Sequence, residues 1–168
     1  FIFFFLITTA IYFLLPHRYR WILLLSVSCY FYMVFKPVYI LILAGTIVVD
    51  YWAGIFLERT TDHRRKKRYL IASIVANVGV LAVFKYYNFL NENLSALLGV
   101  IHVKNDLPFL QILLPIGLSF HTFQAMSYTI EVYRGKQRAE KHFGIYALYV
   151  MFYPQLVAGP IERPQNIL

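Results

Sequence analysis

The chain has 168 residues, of which 60% are hydrophobic and only 14% are charged, and its formal net charge is +8. A soluble domain of this length must cover its surface with polar groups, so the composition excludes an ordinary soluble fold. The basic residues lie in short segments between apolar runs, where topology and anionic headgroups account for them, so nucleic acid is not an expected partner.

Six apolar segments are predicted to cross the bilayer, because runs of about 20 residues match a hydrocarbon core about 30 Å thick. In chain order they are 1–15, 21–35, 38–57, 69–90, 107–131 and 143–161. The chain starts inside the first run without an initiator methionine, so we expect the N-terminal part of a longer protein. The pattern predicts an all-α transmembrane bundle in which residues 1–168 form a single membrane domain.

The basic residues alternate between the loops that join these segments. Segments 17–20, 58–69 and 134–142 hold 2, 6 and 4 Lys and Arg, against one in each of the two loops between them. By the positive-inside rule, these three loops face the cytoplasm and the N-terminus lies outside. A second interpretation is that the two larger basic loops attract an acidic partner or a phosphorylated thioester donor.

The fifth segment carries polar side chains that are costly against lipid. Pro115 and Gly117 predict a break or distortion at its start, since proline removes a backbone donor and glycine tolerates unusual dihedral angles. Beyond the break, spacings of four, three, four and three place five residues on one helical stripe: Gly117, His121, Gln124, Tyr128 and Glu131. We expect this stripe to face the bundle interior, as packing or as the wall of a wet path.

Two earlier segments carry polar or small residues on one face, which is typical of closely packed membrane helices. They are Thr46, Asp50 and Gly54 in the third segment, and Ser73, Asn77, Asn88 and Asn91 in the fourth. Asp50 could pair with Lys85 or with a backbone group. Alternatively, Lys85 could extend toward the nearer interface.

The sixth segment cannot be one regular helix, because Pro154, Gly159 and Pro160 interrupt it. Unwound backbone at membrane depth typically borders a substrate or ion cavity, and Gln155 lies close to this irregular stretch. Glu162 and Arg163 follow it, either near the cavity or as ordinary interfacial charges.

Histidine is the usual general acid or base, which makes His121 a candidate for catalysis. No carboxylate is placed to orient it, and a lone membrane histidine is more often a hydrogen-bonded structural residue. The histidine spacing predicts no metal site, and the sequence has no glycine-rich phosphate loop or nucleophile elbow.

Two strings resemble the paired motifs of the membrane-bound O-acyltransferase family, in its alginate O-acetyltransferase branch. They are "LPIGLSFHTFQAMSYTIEVYRG" at 114–135 and "FYPQLVAGPIERPQ" at 152–165. The order of features is also similar, with apolar N-terminal segments, a basic loop and "FKYYNF" at 84–89 before the two motifs. The resemblance covers essentially the whole chain.

This resemblance implies transfer of an acyl group from a cytoplasmic thioester, acetyl-CoA or an acylated carrier protein, to an extracytoplasmic polysaccharide. It further implies a bacterial inner-membrane location, a possible partner acetyltransferase and no bound cofactor. The family's catalytic histidine lies in a Trp-His-Gly motif, whereas neither Trp21 nor Trp52 precedes a histidine. The resemblance therefore places the catalytic residue beyond Leu168 and implies that the fragment alone is inactive.

The residues expected to line the family's transfer tunnel share a polar side chain on an interior face or near an irregular backbone. They are His121, Gln124, Tyr128, Glu131, Gln155, Glu162, Arg163 and Asp50. The alternative is a non-catalytic transporter or scaffold subunit with the same polar interior. A third interpretation, within the same family, is acylation of a protein or a lipid. D-alanylation of teichoic acid would be the nearest such activity.

Overall fold

The structure, a computed structural model, describes residues 2–35, 37–100, 108, 117–158 and 164. In these ranges the chain forms helices and no strand, which confirms the all-α prediction. The helices are α1 Ile2–Leu14, α2 His17–Phe35, α3 Val38–Arg59, α4 His63–Val100, α5 Leu118–Tyr133, α6 Phe143–Met151 and α7 Tyr153–Ala158. By length and apolar composition, α3 and α4 could each cross a membrane, while the count of six spans stays a prediction.

Helix α3 lies at the centre of the bundle, where it contacts α2, α4, α5 and α6. Helix α5 also contacts α4 and α6. Helix α2 also contacts α1, α6 and α7. Polar side chains are buried inside while many large apolar side chains are exposed outside. This distribution fits a bundle whose outer faces meet lipid.

The predicted loop at 58–69 is mostly helical. Helix α3 continues to Arg59 and α4 begins at His63, which leaves three residues between them. Asp62 promotes this start, because its Oδ1 accepts the backbone N–H of Arg64 at 2.9 Å, as an N-cap carboxylate does. The basic run 64–68 therefore lies on the first turns of α4.

The bounds of other predicted segments also change. Residues 17–20, expected as a loop, form the first turn of α2. Helix α4 continues to Val100 instead of ending at residue 90, because no proline or glycine cluster stops it there. Its 38 residues span about 57 Å at 1.5 Å per residue, well over the thickness of a bilayer core, so it must tilt or project from the membrane.

The connection between α5 and α6 is held in place by two tyrosines. Tyr128 on α5 accepts the backbone N–H of Glu140 at 2.9 Å, and the hydroxyl of Tyr51 on α3 donates to the carbonyl of Lys141 at 2.6 Å. His142 then caps α6 by accepting the N–H of Ile145. The basic segment 134–142 is therefore tied to the bundle at its second half.

A candidate site at a helix break in the bundle interior

The chain breaks between α6 and α7 at Phe152, whose backbone is extended with φ −58° and ψ 109°. The cause is Pro154, which lacks an N–H and whose ring would collide with the carbonyl of Val150 in a continuous helix. The carbonyls of Tyr149 and Val150 therefore lose their usual partners four residues ahead. The irregularity predicted near Pro154 is present. At the start of α5, Gly117 has a left-handed backbone with φ 78°, which agrees with the predicted distortion, while Pro115 and Pro160 lie outside the described residues.

His121 on α5 satisfies one of the two freed carbonyls. Its Nδ1 hydrogen-bonds the carbonyl oxygen of Val150, and because a carbonyl only accepts, Nδ1 must be the donor. In the neutral ring, Nε2 then accepts from the hydroxyl of Tyr32 on α2. His121 is 2% exposed, and with both nitrogens engaged it links α2 and α5 to the break.

Gln124, one turn further along α5, satisfies the other freed carbonyl. Its Nε2 donates to the carbonyl of Tyr149 at 2.7 Å and to Oε1 of Gln155 at 3.2 Å. This orientation of the amide is fixed, because the reverse would set two acceptor oxygens against each other. Its own Oε1 is buried and has no hydrogen-bond partner among the described residues.

The break also frees a backbone donor, the N–H of Tyr153. It donates to Oγ of Ser28 on α2 at 3.2 Å, and Ser28 is fully buried. Irregular backbone at membrane depth is tolerated only where protein or water satisfies its polar groups. Ser28, His121 and Gln124 meet this requirement, so the polar stripe of α5 serves the broken helix opposite it.

A groove of about 280 Å³ opens beside the break. It is mainly apolar and is lined by residues of α1, α2 and the break: Phe5, Thr8, Thr9, Tyr12, Phe13, Leu24, Phe152, Tyr153 and Pro154. The broken helix thus borders an apolar groove, and His121, Gln124 and Gln155 are not among the residues that line it.

Tyr128 continues the stripe and brings α5 close to α3. Its side chain is fully buried against Tyr146, with ring centroids 4.6 Å apart. A Cβ added at Gly54 would lie 2.8 Å from Cε1 of Tyr128, so only glycine allows this approach. The small residue on the predicted polar face of the third segment is therefore a point of close helix contact.

Asp50 lies in a second buried polar cluster, between α3, α4 and α5. Its carboxylate accepts from Oγ of Ser73 at 2.5 Å and from Nδ2 of Asn77, which lies 2.8 Å from both carboxylate oxygens. The suggested pairing with Lys85 is not formed, because Lys85 lies further along α4, exposed above the ring of Tyr86. Of the predicted face on α4, Ser73, Asn77 and Asn91 are buried and Asn88 is half-buried.

The remaining candidates are not brought to the break, apart from Gln155, which contacts Gln124. Glu131 lies half-buried at the end of α5, with its Oε1 3.8 Å from the Arg134 guanidinium. Glu162 and Arg163 lie outside the described residues. The polar candidates thus separate into a group at the break, a group around Asp50 and a charged residue near the basic segment.

Similarity to known proteins extends over the full chain. It is 37% identical over 172 aligned positions, covering 100% of the chain, to a protein of Pseudomonas aeruginosa named probable alginate O-acetylase AlgI. A protein of the same name from Azotobacter vinelandii is 36% identical over 95% of the chain. This chain is a homologue of alginate O-acetylases.

The alginate O-acetylases are longer than the present chain, which covers 32% of each of the two relatives above. A peptidoglycan O-acetyltransferase of Helicobacter pylori is 28% identical over 86% of the chain, which covers 31% of that relative. No protein-family model matches the chain. No solved structure matches it either. The resemblance to the alginate O-acetyltransferase branch, drawn from the two motifs, is confirmed by these relatives.

Sequence reasoning missed several partners at the break. Tyr32 and Ser28 were not singled out, although they lie four residues apart on one face of α2, a spacing that could have indicated an interior polar face. The freed carbonyls could have been inferred, since Pro154 necessarily leaves the carbonyl four residues before it without a helical donor. In the cluster around Asp50, Thr129 was also missed, although it lies next to Tyr128 in the sequence and is fully buried.

Proposed function

We propose that this chain is part of a membrane O-acyltransferase that acetylates an extracytoplasmic polysaccharide. The observation that carries the proposal is 37% identity over the whole chain to an alginate O-acetylase. The peptidoglycan O-acetyltransferase among the relatives supports a carbohydrate acceptor more generally. We propose a cytoplasmic acyl thioester as the donor, acetyl-CoA or an acylated carrier protein, and a partner acetyltransferase at the outer face.

In this proposal the protein is multi-pass in a bacterial inner membrane, with its basic segments toward the cytoplasm. The distribution of Lys and Arg supports this orientation. The donor would approach from the basic side, where Arg65 and Arg68 on α4 and Arg138 and Lys141 before α6 flank surface pockets.

The polar groups inside the bundle would shape the path between the two sides. Gln124 supports this role best, because its buried Oε1 has no partner within the described ranges and can accept a hydrogen bond from water or a hydroxyl. His121, Tyr128, Gln155 and Asp50 would contribute to the same interior, and Glu131, Glu162 and Arg163 to its ends. The histidine that performs the transfer is expected beyond Leu168, as the family resemblance implies.

The test compares the full-length protein with its Gln124→Leu variant in a host whose own polymer acetylation has been deleted. We expect the wild type to restore polymer-bound acetate and Gln124→Leu to lower it while membrane abundance is retained. Asn93→Leu is a matched control, since the Asn93 amide is exposed and, in the described part of the chain, bonds the carbonyl of Phe89 on its own helix. Export of unacetylated polymer by the wild type would instead indicate a transport or scaffold role.

A further inference from the structure

One buried ionisable group takes no part in holding the helix break. Asp50 is 0% exposed and lies about 18 Å from the first residue of α3 at 1.5 Å per residue, deep within the membrane. Among the described residues its carboxyl group is bound by Ser73 and Asn77, both neutral, and by no cation. An ionisable side chain kept inside a membrane without a counterion typically marks a proton or ion pathway.

The hydroxyl of Ser73 bridges Asp50 to a third helix. Its Oγ lies 2.5 Å from Oδ1 of Asp50 and 3.3 Å from Oγ1 of Thr129 on α5. A hydroxyl both donates and accepts, so when Asp50 is ionised the Ser73 O–H can point at it. When Asp50 is protonated, its own O–H can donate to Ser73, whose hydrogen then turns to Thr129. Both protonation states are satisfied by rotating a hydroxyl hydrogen.

No charged side chain among the described residues holds Asp50 in one of these states. From α6, the titratable group within electrostatic reach is Tyr146, whose buried hydroxyl has no hydrogen-bond partner in the described chain. Of the other buried groups that titrate, Tyr32 on α2 and His121 on α5 are hydrogen-bonded to each other. Tyr128 on α5 accepts the backbone N–H of Glu140, and Tyr149 on α6 and Tyr153 on α7 are neutral phenols. Asp50 is therefore free to gain and lose a proton.

The proposed reaction has a proton to move. Transfer from a thioester to a hydroxyl breaks a C–S bond and forms a C–O bond, while the hydroxyl loses a proton and the departing thiolate gains one. With the thioester inside and the hydroxyl outside, an inward proton keeps the step electroneutral. Without it, each turnover moves one positive charge outward against a potential that is negative inside.

We propose that Asp50 takes up and releases this proton, and that Asp50, Ser73 and Thr129 form a proton relay in which rotating hydroxyl hydrogens satisfy both states of the carboxyl group. The relay rests on the proposed acyl transfer and adds a role for residues that do not touch the acyl group. It explains why a carboxyl group whose partners among the described residues are neutral lies at this depth, and why it is followed by two hydroxyls in succession.

The test uses the full-length protein in inside-out membrane vesicles that are given acetyl-CoA and carry the acceptor polymer. Asp50→Asn and Ser73→Ala should slow acetylation at least about tenfold per inserted molecule. The acetylation rate that remains in these two variants should vary with an imposed membrane potential, unlike the wild-type rate. Asp50→Glu should recover part of the wild-type rate, with a shifted pH profile. Thr46→Val, one turn away on α3 with its hydroxyl bonded to Leu43, should behave as wild type.

The relay is overturned if Asp50→Asn keeps the wild-type rate and pH profile, or loses activity only in proportion to lost protein. If the wild type acetylates nothing, the proposed function fails. Infrared spectroscopy of the purified protein then tests separately whether Asp50 exchanges a proton. A carboxyl band that changes with pH in the wild type and is missing from Asp50→Asn supports proton exchange. Identical spectra of the two proteins contradict it.

Discussion

At the scale of single residues, two glycines of α3 have opposite surroundings. Gly54 faces Tyr128, whose Cε1 and hydroxyl oxygen would both lie 2.8 Å from an added Cβ. Gly45, on the same helix, has no atom of another described part of the chain within 4 Å of that position, its own helix backbone apart. The first glycine sets the distance between α3 and α5, while the second only adds backbone freedom to a helix.

We therefore predict that Gly54→Ala destabilises the protein by about 1–3 kcal/mol, because a buried tyrosine must move. Gly45→Ala should stabilise it by about 0.5–1 kcal/mol, since alanine is the better helix former. Thermal unfolding of both variants of the full-length protein in detergent measures the difference. Equal effects of the two substitutions would show that α3 and α5 do not approach as described.

His121 shows how neighbouring residues decide the role of one side chain. A histidine within a membrane segment is a candidate acid or base on its chemistry alone. Its two nitrogens are instead bound to Val150 and Tyr32, so it supports the broken helix. That another histidine performs the proposed transfer stays a prediction.

At the scale of elements, the break between α6 and α7 is the main irregularity in the described part of the chain. Pro154 creates it, and side chains from α2 and α5 satisfy the backbone groups that it frees. Proline and its partners should therefore be energetically coupled. If Pro154 is replaced, the N–H that returns can bind the carbonyl of Val150 directly.

A double-mutant cycle tests this coupling. We predict that His121→Leu costs about 1–3 kcal/mol with Pro154 present, because the carbonyl of Val150 is then buried without a partner. In a Pro154→Ala background the same change should cost less, and the coupling energy should fall between about 0.5 and 3 kcal/mol. The unfolding free energies of the four proteins give the result, and strict additivity would contradict the link between proline and histidine.

Helix α4 shows the limit of segment prediction from hydropathy. Its apolar run predicts a helix over 69–90, yet the helix extends from His63 to Val100. At the N-terminal end, Arg and Lys lowered the apolar signal without weakening the helix, because straight-chain charged residues are good helix formers. At the C-terminal end, Asn91, Glu92 and Asn93 lowered the same signal, and the helix still continues to Val100.

At the scale of the whole molecule, the basic residues predict the orientation in the membrane. Arg64 to Arg68 lie on the first turns of α4, and four more basic residues lie within 134–142. The start of α4 and the segment between α5 and α6 should therefore both face the cytoplasm. The C-terminal half of α4, with Asn93 exposed near its end, should then face outward.

Single-cysteine labelling tests this orientation in a Cys29→Ser background. We predict that Thr61→Cys reacts with a membrane-impermeant maleimide only in inside-out vesicles, and that Asn93→Cys reacts only in intact cells. Both positions are exposed in the structure. Labelling of both residues from the same side would contradict the proposed crossing of α4, and the reverse pattern would invert the topology.

The sequence by itself determined the helical membrane class, the interior stripe on α5, the irregular backbone near Pro154 and the family. These follow from apolar run length, residue spacing, the missing N–H of proline and motif strings, which are all local properties of the chain. Only the tertiary structure decided the partners, since residues far apart in sequence must be brought together: His121 with Val150 and Tyr32, Asp50 with Ser73 and Asn77, and Gly54 with Tyr128. The physical reason is that a buried polar group must find a partner in space, and which residue supplies it depends on how the helices pack.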